Sequence, residues 1–482
     1  MRLGLVSDTP MQEFNSLKKI PVLEPLKIFF KKKKVKVYIV GGIIRDALIK
    51  RKKESIDLDL AVENKAISLA REFANTIKAG FVILDKEHGA ARVVKKIKDM
   101  TYTIDFTDFR GKTLEEDLKH RDFTINALAL DLFNLDSLID PYKGVEDINR
   151  KTIRALAKFT FKEDPLRILR AFSLSSVLGF KIDKFTEEQA GLNKKKLEKV
   201  SFERIRDELF KILHQDNFYK FLLILDEMGI LSVIFPEADI MRGVAQGPYH
   251  HLDVWMHTLE TCRQLDLIIK DAKNNKQINA YLNEVISSDR KRLALIKLGA
   301  LLHDIGKPAS MKRREGKIIF HGHERIGRDI AREISIKLKL SNDERVALEK
   351  MIFWHLRPGY LADVEELTPR AVFRFFRDTQ KEGVSVLLLS LADQRATRGP
   401  LTSRSGRASH EKVVAELIKD YFKSLKQKKL PRLLTGNDLI KKLKLIPSPI
   451  FSKILREIEE LQAAGEIKTK QEALEAARKM LK

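Results

Sequence analysis

Apolar and polar positions alternate with a period of two between Lys36 and about Asp140, whereas beyond Ile153 apolar residues recur at spacings of three and four. The first pattern predicts strands in VKVYIVGG, SIDLDLAV, FVILD, ARVVKKI, YTIDFTD and ALALDLF. The second predicts helices in PLRILRAFSLSSVLGF, FERIRDELFKILH and YKFLLILDEMG, and the pattern stays helical from there on. An α+β head followed by a long all-α body is therefore expected. Ahead of the first strand, Pro10, Pro21 and Pro25 and the lysine run ending at Lys34 read as a short helical lead-in.

The 482 residues are about three times the usual domain length, so several domains are expected. The pattern divides them into a lead-in at 1–34, a head at 35–150, a helical neck at 151–235, a body at 236–410 and a basic helical tail at 411–482. RGPLTSRSGRASH, rich in glycine, proline and serine, precedes the tail. Cys262 is the single cysteine, which rules out an intrachain disulfide and fits a reducing compartment. The N-terminus has no apolar signal core, and runs such as VSVLLLSLA are too short to span a bilayer. A soluble, cytoplasmic protein without a membrane partner is expected. Its 91 lysines and arginines against 67 acidic residues give a formal charge of +24. That excess points to a polyanionic partner, nucleic acid first and a membrane surface second.

Chemistry begins at Val37. In IDLDL, Asp57 and Asp59 project to one side of a strand while Ile56, Leu58 and Leu60 enter the core. Two carboxylates on one face repel unless a cation joins them, and Mg²⁺, a hard ion that takes oxygen ligands and substrate phosphates, is the expected one. Gly41 and Gly42 end the preceding strand just before a helix, where backbone N–H groups can approach a phosphate. Taken alone, DLD also suits an ordinary surface strand; the glycine pair shifts the reading towards phosphoryl transfer.

A strand ending in GG, a helix and then D-apolar-D resembles the nucleotidyltransferase signature of the DNA polymerase β superfamily. GGIIRD, RDFTINA at Arg121 to Ala127 and EDPLRILR at Glu163 to Arg170, in this order, closely resemble the class II tRNA nucleotidyltransferases and bacterial poly(A) polymerases. SFERIRDELFKIL, the histidine-rich body and LTGNDLI extend the resemblance over nearly the whole chain.

The resemblance implies a polymerase-β-like head with an antiparallel sheet plus helices, then an all-α neck, a body and a tail. It puts Asp57 and Asp59 on the metals and makes Asp105 the candidate third carboxylate, an exposed strand aspartate being the plainer alternative. Gly41, Gly42, Arg45 and Asp46 would surround the triphosphate, and Arg121, Asp122 and Asn126 would meet the ribose and phosphates. Asp164 and Arg167 would read the edge of the incoming base, with Lys162 and Arg170 adding charge. Read as an i, i+3 pair sharing one helix face, Asp164 and Arg167 would offer an acceptor and a donor suited to the amines of cytosine and adenine; a plain ion pair is the other reading. ATP and/or CTP as substrates, Mg²⁺ in the head and tRNA as partner follow.

Three departures stand out. His120 and Ser173 occupy positions where the family often has arginine. FTDFRGKTLEEDLKH, between Asp105 and Arg121, is much shorter than the corresponding region of many CCA-adding relatives, which includes a flexible loop linked to the switch from C to A addition. Addition of CC only, or of A only, is therefore among the expectations. A poly(A) polymerase and a non-catalytic RNA-binding protein with a vestigial head are the alternatives.

Seven of the eleven histidines fall between His250 and His355. LLHDIGKP, with His257 upstream and Asp393 downstream, resembles the H…HD…D pattern of the HD metal-dependent phosphohydrolases. The resemblance implies a divalent metal on His257, His303, Asp304 and Asp393, with His323 and His355 extending it to a second ion. It also implies phosphohydrolase activity on a phosphate ester. His250, His251 and His321 are read as lying outside the metal set.

Overall fold

The computed structural model describes residues 14–51, 55–426 and 431–481. It divides into two compact units, one running to Val200 and one from Ser201 onward, so the unit boundary falls inside the segment 151–235. Pro10 of the lead-in lies outside the described residues; Asn15–Lys18 and Leu23–Lys31 are helical.

The first unit is built on a seven-stranded sheet: β1 (Val37–Val40), β2 (Ile56–Val62), β3 (Gly80–Asp85), β4 (Ala90–Ile97), β5 (Met100–Asp108), β6 (Ala129–Asp131) and β7 (Leu138–Ile139). The strand order is β3-β4-β5-β2-β1-β6-β7. An antiparallel sheet was the expectation; the observed sheet is mixed, because β2 and β5 run parallel. Alternation within a strand fixes its two faces but carries no information about its neighbour's direction. The helix Ala66–Ile77 and the β3–β4 hairpin intervene between β2 and β5 and return the chain in the same sense.

One face of this sheet is dry. Leu58, Leu60, Val93, Ile104 and Phe106 are buried there with Leu69, Ala70 and Phe73 of the helix Ala66–Ile77. Phe106 lies 5.9 Å from Phe73 and 6.1 Å from Phe30, ring centre to ring centre. The opposite, aspartate-bearing face is covered by Leu114 and Leu118 at Val40 and Ala61 and is open towards β3.

The second unit is mainly helical. The helices Arg292–Leu302, buried along its whole length, and Gly383–Ala396 form its centre, packed by Val254–Ala272 and Asn342–Trp354. VSVLLLSLA belongs to the core helix Gly383–Ala396, and among the described residues no helix is long and apolar enough to cross a membrane. The expectation of an unbroken helical pattern after Ile153 is corrected by three short ladders. Thr152–Ile153 pairs with Lys181–Ile182, Val285–Ser287 with Arg290–Lys291, and Lys312–Arg314 with Lys317–Ile319. Two or three residues are too few to show a period. The second ladder is tied to the helix Asn342–Trp354 by Arg290, whose Nε and Nη2 donate to both Glu344 oxygens at 2.6 and 2.8 Å. Within RGPLTSRSGRASH, Ser403 caps the helix Arg404–Ser424, which runs on into the tail. The tail has its own core of Leu439, Ile454, Ile458 and Ala473, and Arg370, Arg374 and Arg377 pair with Glu457 and Glu460 on its helix Ile450–Ala463.

Candidate active site

The open face of the sheet collects the sequence-singled residues of the head. Asp59 stands in register beside Asp105 across the parallel pair, so both point to one side, and Asp57 follows on the same side. Asp57 is exposed and Asp59 half-buried. Burial pushes the Asp59 carboxyl up; Arg121 opposes this, and Asp105 and Asp57 add to it.

Gly41 follows β1 with φ 82° and ψ −149°, a conformation that side chains avoid. A Cβ there would sit 2.8 Å from Asp59 Oδ2 and 3.2 Å from Arg121 Nη1, so glycine is required both by conformation and by close approach. Gly42 then opens the helix Gly42–Leu48, which carries Arg45 and Asp46.

A continuous chain of polar contacts joins the three motifs. Arg45 Nε and Nη2 donate to Asp46 Oδ1 at 3.0 and 2.7 Å, and Nη1 donates to Asn126 Oδ1 at 2.6 Å. Asn126 Nδ2 donates to Asp122 Oδ1 at 2.9 Å, and Arg170 Nε lies 2.7 Å from Asp122 Oδ2. Burial alone would raise the Asp122 carboxyl, but Arg170, Asn126 and Arg167 hold it below the usual carboxylate range. Arg121 Nη2 reaches Asp117 Oδ2 at 3.4 Å while its Nε is buried without a partner, so a donor remains beside Asp59.

Asp164 and Arg167 do not share a helix face. Pro165 disfavours helical geometry at the preceding residue, and Asp164 is extended, φ −140° and ψ 99°, between the helices Thr160–Glu163 and Arg167–Leu178. Arg167, buried, donates Nη2 to the His120 carbonyl at 2.6 Å and Nη1 to the Thr160 carbonyl at 3.2 Å. His120 Nδ1 is 2.7 Å from Glu163 Oε1, and the hydroxyl of buried Ser173 donates to the Arg170 carbonyl at 3.2 Å. Lys162 is exposed.

The region where a flexible loop was a point of comparison is compact. The helix Leu114–Lys119 is capped by Thr113, buries Leu114 and Leu118 against Val40, Ala61 and Ala127, and presents Asp117 Oδ1 to the Arg110 N–H at 3.1 Å.

Sequence reasoning missed Arg92. It lies opposite Asp105 on β4 and donates Nε and Nη2 to both Asp105 oxygens, at 2.8 and 2.7 Å. No motif marks it; only the strand register reveals it.

In the second unit, His257, His303 and Asp304 form one potential metal group and Asp304, His323 and His355 another, all buried. Asp393 Oδ1 lies 2.9 Å from His257 Nε2 and 3.8 Å from His303 Nε2. The Nδ1 atoms of His303, His323 and His355 face the carbonyls of Ala300, Phe320 and Ile352 at 2.9, 2.8 and 2.6 Å. Proton donation there leaves each Nε2 lone pair facing the cluster. His303 Nε2 is buried without a hydrogen bond, 3.1 Å from Asp304 Oδ2, and burial pushes His355 down to about 3, keeping it neutral. Imidazole nitrogens and carboxylates converging in a dry site fit divalent-ion ligation, and Asp304 is common to both groups.

His251 and His321 are exposed, and His250 lies outside both groups, its ring 4.9 Å edge-on from His257. Lys307 was missed although it stands at i+3 from Asp304; its Nζ is 2.6 Å from Asp304 Oδ2 and donates to Gln246 Oε1 at 2.6 Å.

Family models match along most of the chain: the poly A polymerase head domain at residues 37–154, the HD domain at 249–398 and tRNA nucleotidyltransferase domain 2 at 403–477. The A-adding tRNA nucleotidyltransferase of Deinococcus radiodurans is 32% identical over 90% of this chain and 93% of its own. The CC-adding tRNA nucleotidyltransferase of Synechocystis is 30% identical over 92% and 93%. The fold resembles that of the Thermotoga maritima CCA-adding enzyme complexed with tRNA, with a TM-score of 0.61, 23% identity, and coverage of 96% of this chain and 95% of that one.

Proposed function

Since the chain belongs to the class II CCA-adding tRNA nucleotidyltransferase family, we propose that it adds C or A to tRNA 3′ ends from CTP or ATP without a template. The observation that carries this reading is the polar chain from Asp46 through Arg45, Asn126 and Asp122 to Arg170, set beside the aspartate face. It presents guanidinium groups where a triphosphate needs neutralising and carboxylates where a metal needs oxygen ligands.

Asp57 and Asp59 are the residues to hold Mg²⁺, and their all-oxygen donor set on one open face suits that ion. Bound there, Mg²⁺ supplies activation of the RNA 3′-hydroxyl and neutralisation of the departing pyrophosphate. Asp105 stands beside them with both oxygens taken up by Arg92, outside the metal-holding pair. Gly41 lets the nucleotide approach Asp59, while Arg45, Asp46, Arg121 and Arg170 orient the phosphates. Asp122 and Asn126 order that network. Asp164, held extended, accepts from the exocyclic amine of cytosine or adenine, and Arg167 braces the segment through the carbonyls it binds.

The packed helix Leu114–Lys119 favours one part of CCA addition, either CC or A, over the whole sequence. The poly(A) reading draws on the head and on the polymerase A RNA-binding match at 179–241, whereas the match at 403–477 is to a tRNA nucleotidyltransferase domain. The body adds a metal-dependent phosphohydrolase acting on phosphate esters such as a 2′,3′-cyclic end. A cytoplasmic location, where tRNA and nucleotides are available, completes the reading.

Incubation with labelled CTP or ATP and transcripts ending before CCA, after C and after CC tests it. Extension of only one class of end supports partial addition; extension of all three to CCA overturns that part, and no extension overturns the whole.

A further inference from the structure

The aspartate face of the sheet continues past the carboxylates. Residues paired in register share a face, so the row through Asp59 and Asp105 runs on to Arg92 and Val82, and the row through Asp57 and Thr103 runs on to Val94. This is the side away from the helix Ala66–Ile77, since Val93, Ile104 and Leu58, which point the other way, are buried. On the open side Val82 is 54% exposed, Leu84 48% and Val94 37%. Lys96, in the same alternation, is exposed too.

Such a shelf is unusual for an edge strand. Edges are commonly blunted by charge, and clustered exposed aliphatic groups beside a polar site mark a surface that another molecule covers. Arg92 saturates both oxygens of Asp105, so the surface between Asp59 and the shelf does not repel a phosphate as a third free carboxylate would. At about 4.8 Å between strands, β4 lies about 10 Å and β3 about 14 Å from β2, a reach suited to the end of a polynucleotide strand.

We propose that Val82, Leu84 and Val94 form the floor beneath the 3′-terminal nucleotide of the RNA acceptor, holding its base and ribose while its hydroxyl lies over Asp57 and Asp59. This rests on the reading of the head as an RNA 3′-end nucleotidyltransferase. The chemistry fits a strand end whose last base changes as addition proceeds. Aliphatic groups press on any base face without demanding a hydrogen-bond pattern, and Lys96 supplies charge for the backbone.

The test pairs Val82→Glu/Leu84→Glu with the conservative Val82→Ile/Leu84→Met, followed by addition kinetics on tRNA transcripts and melting curves for fold integrity. The acidic pair is expected to lower kcat/KM for tRNA by about tenfold or more, because it sets like charge against the backbone. The KM for CTP or ATP should stay within about twofold, as interactions with the nucleotide are untouched, and the aliphatic pair should keep the parental rate. Independently of stability, parent enzyme is irradiated with a transcript bearing 4-thiouridine as its terminal base, and the crosslink is expected in the peptide Gly80–Ile97. Parental rates in the acidic pair, or a crosslink mapping elsewhere, overturn the floor; absence of any nucleotide addition by the parent instead overturns the reading beneath it.

Discussion

Asp59 and Asp105 stand side by side in the parallel pair β2–β5, yet they keep different company: Asp105 is gripped through both oxygens by Arg92, whereas Asp59 lies under Gly41. Asp57→Ala and Asp59→Ala are expected to abolish nucleotide addition. Affinity for tRNA should change by no more than about threefold, because RNA binding is spread over many basic residues. Asp105→Asn should retain measurable incorporation of labelled CTP or ATP. A loss as complete as that of Asp59→Ala would put Asp105 among the metal-holding residues.

Gly41→Ala tests the close approach. The backbone conformation costs of order 1–3 kcal/mol for a non-glycine residue, and the new Cβ meets Asp59 Oδ2 at 2.8 Å. The variant is expected to fold with a lowered Tm and to lose addition activity. Turnover at the parental rate would show that the carboxylate needs no clearance there.

Base choice is expected to depend on Asp164. Removing a hydrogen-bond acceptor costs about 1–3 kcal/mol against its donor, so Asp164→Ala should admit UTP and GTP into the product while nucleotide KM changes little. Sequencing of extended transcripts reads the outcome, and an unchanged product sequence would reassign Asp164 to a structural role.

Asp304 is common to both potential metal groups and is expected to bridge two ions, which separates two metal variants. Asp304→Ala should lose both divalent ions and all phosphohydrolase activity on cyclic and mono-phosphate esters, whereas His355→Ala should lose one ion. Metal analysis after dialysis against Mn²⁺ or Ni²⁺ distinguishes them, and nucleotide addition should survive in each. Equal metal content in the two variants would mean that Asp304 does not bridge.

Glu344 offers a pH test of the fold. Burial would raise its carboxyl, but Arg290 and the Ser341 N–H pull it below the usual range. A depressed carboxyl stabilises the folded state above its unfolded pKa, about 4.3, and loses that contribution as pH falls through the lower folded value. Glu344→Gln is expected to melt below the parent at pH 7, with a gap that narrows as pH falls below about 4.3. A gap that is constant with pH would remove the ion pair as its cause.

Much of the head is legible in the sequence because its signals are local. Alternation orients Asp57 and Asp59, and the Gly41 turn is written in the residue that alone tolerates it. What escapes is non-local. Arg92 acquires its partner through the β4–β5 register, and the direction of β5 relative to β2 depends on the elements between them. His250 is brought to His257 by a loop. Asp164 and Arg167 are a different case. The break between them was written in Pro165, and helical spacing on either side concealed it.

The polar chain linking Arg45 to Asn126 closes a separation of 81 residues, and it reaches Arg170 further on. Such distant contacts form late, since loop closure must precede them. During synthesis, chain that has emerged only as far as β5 contains the three aspartates but none of Arg121, Asp122, Asn126 or Arg170. The nascent polypeptide therefore holds Arg45 but lacks Arg121 and Arg170, and the polar network that would orient a triphosphate is complete only when translation has delivered the last of these arginines.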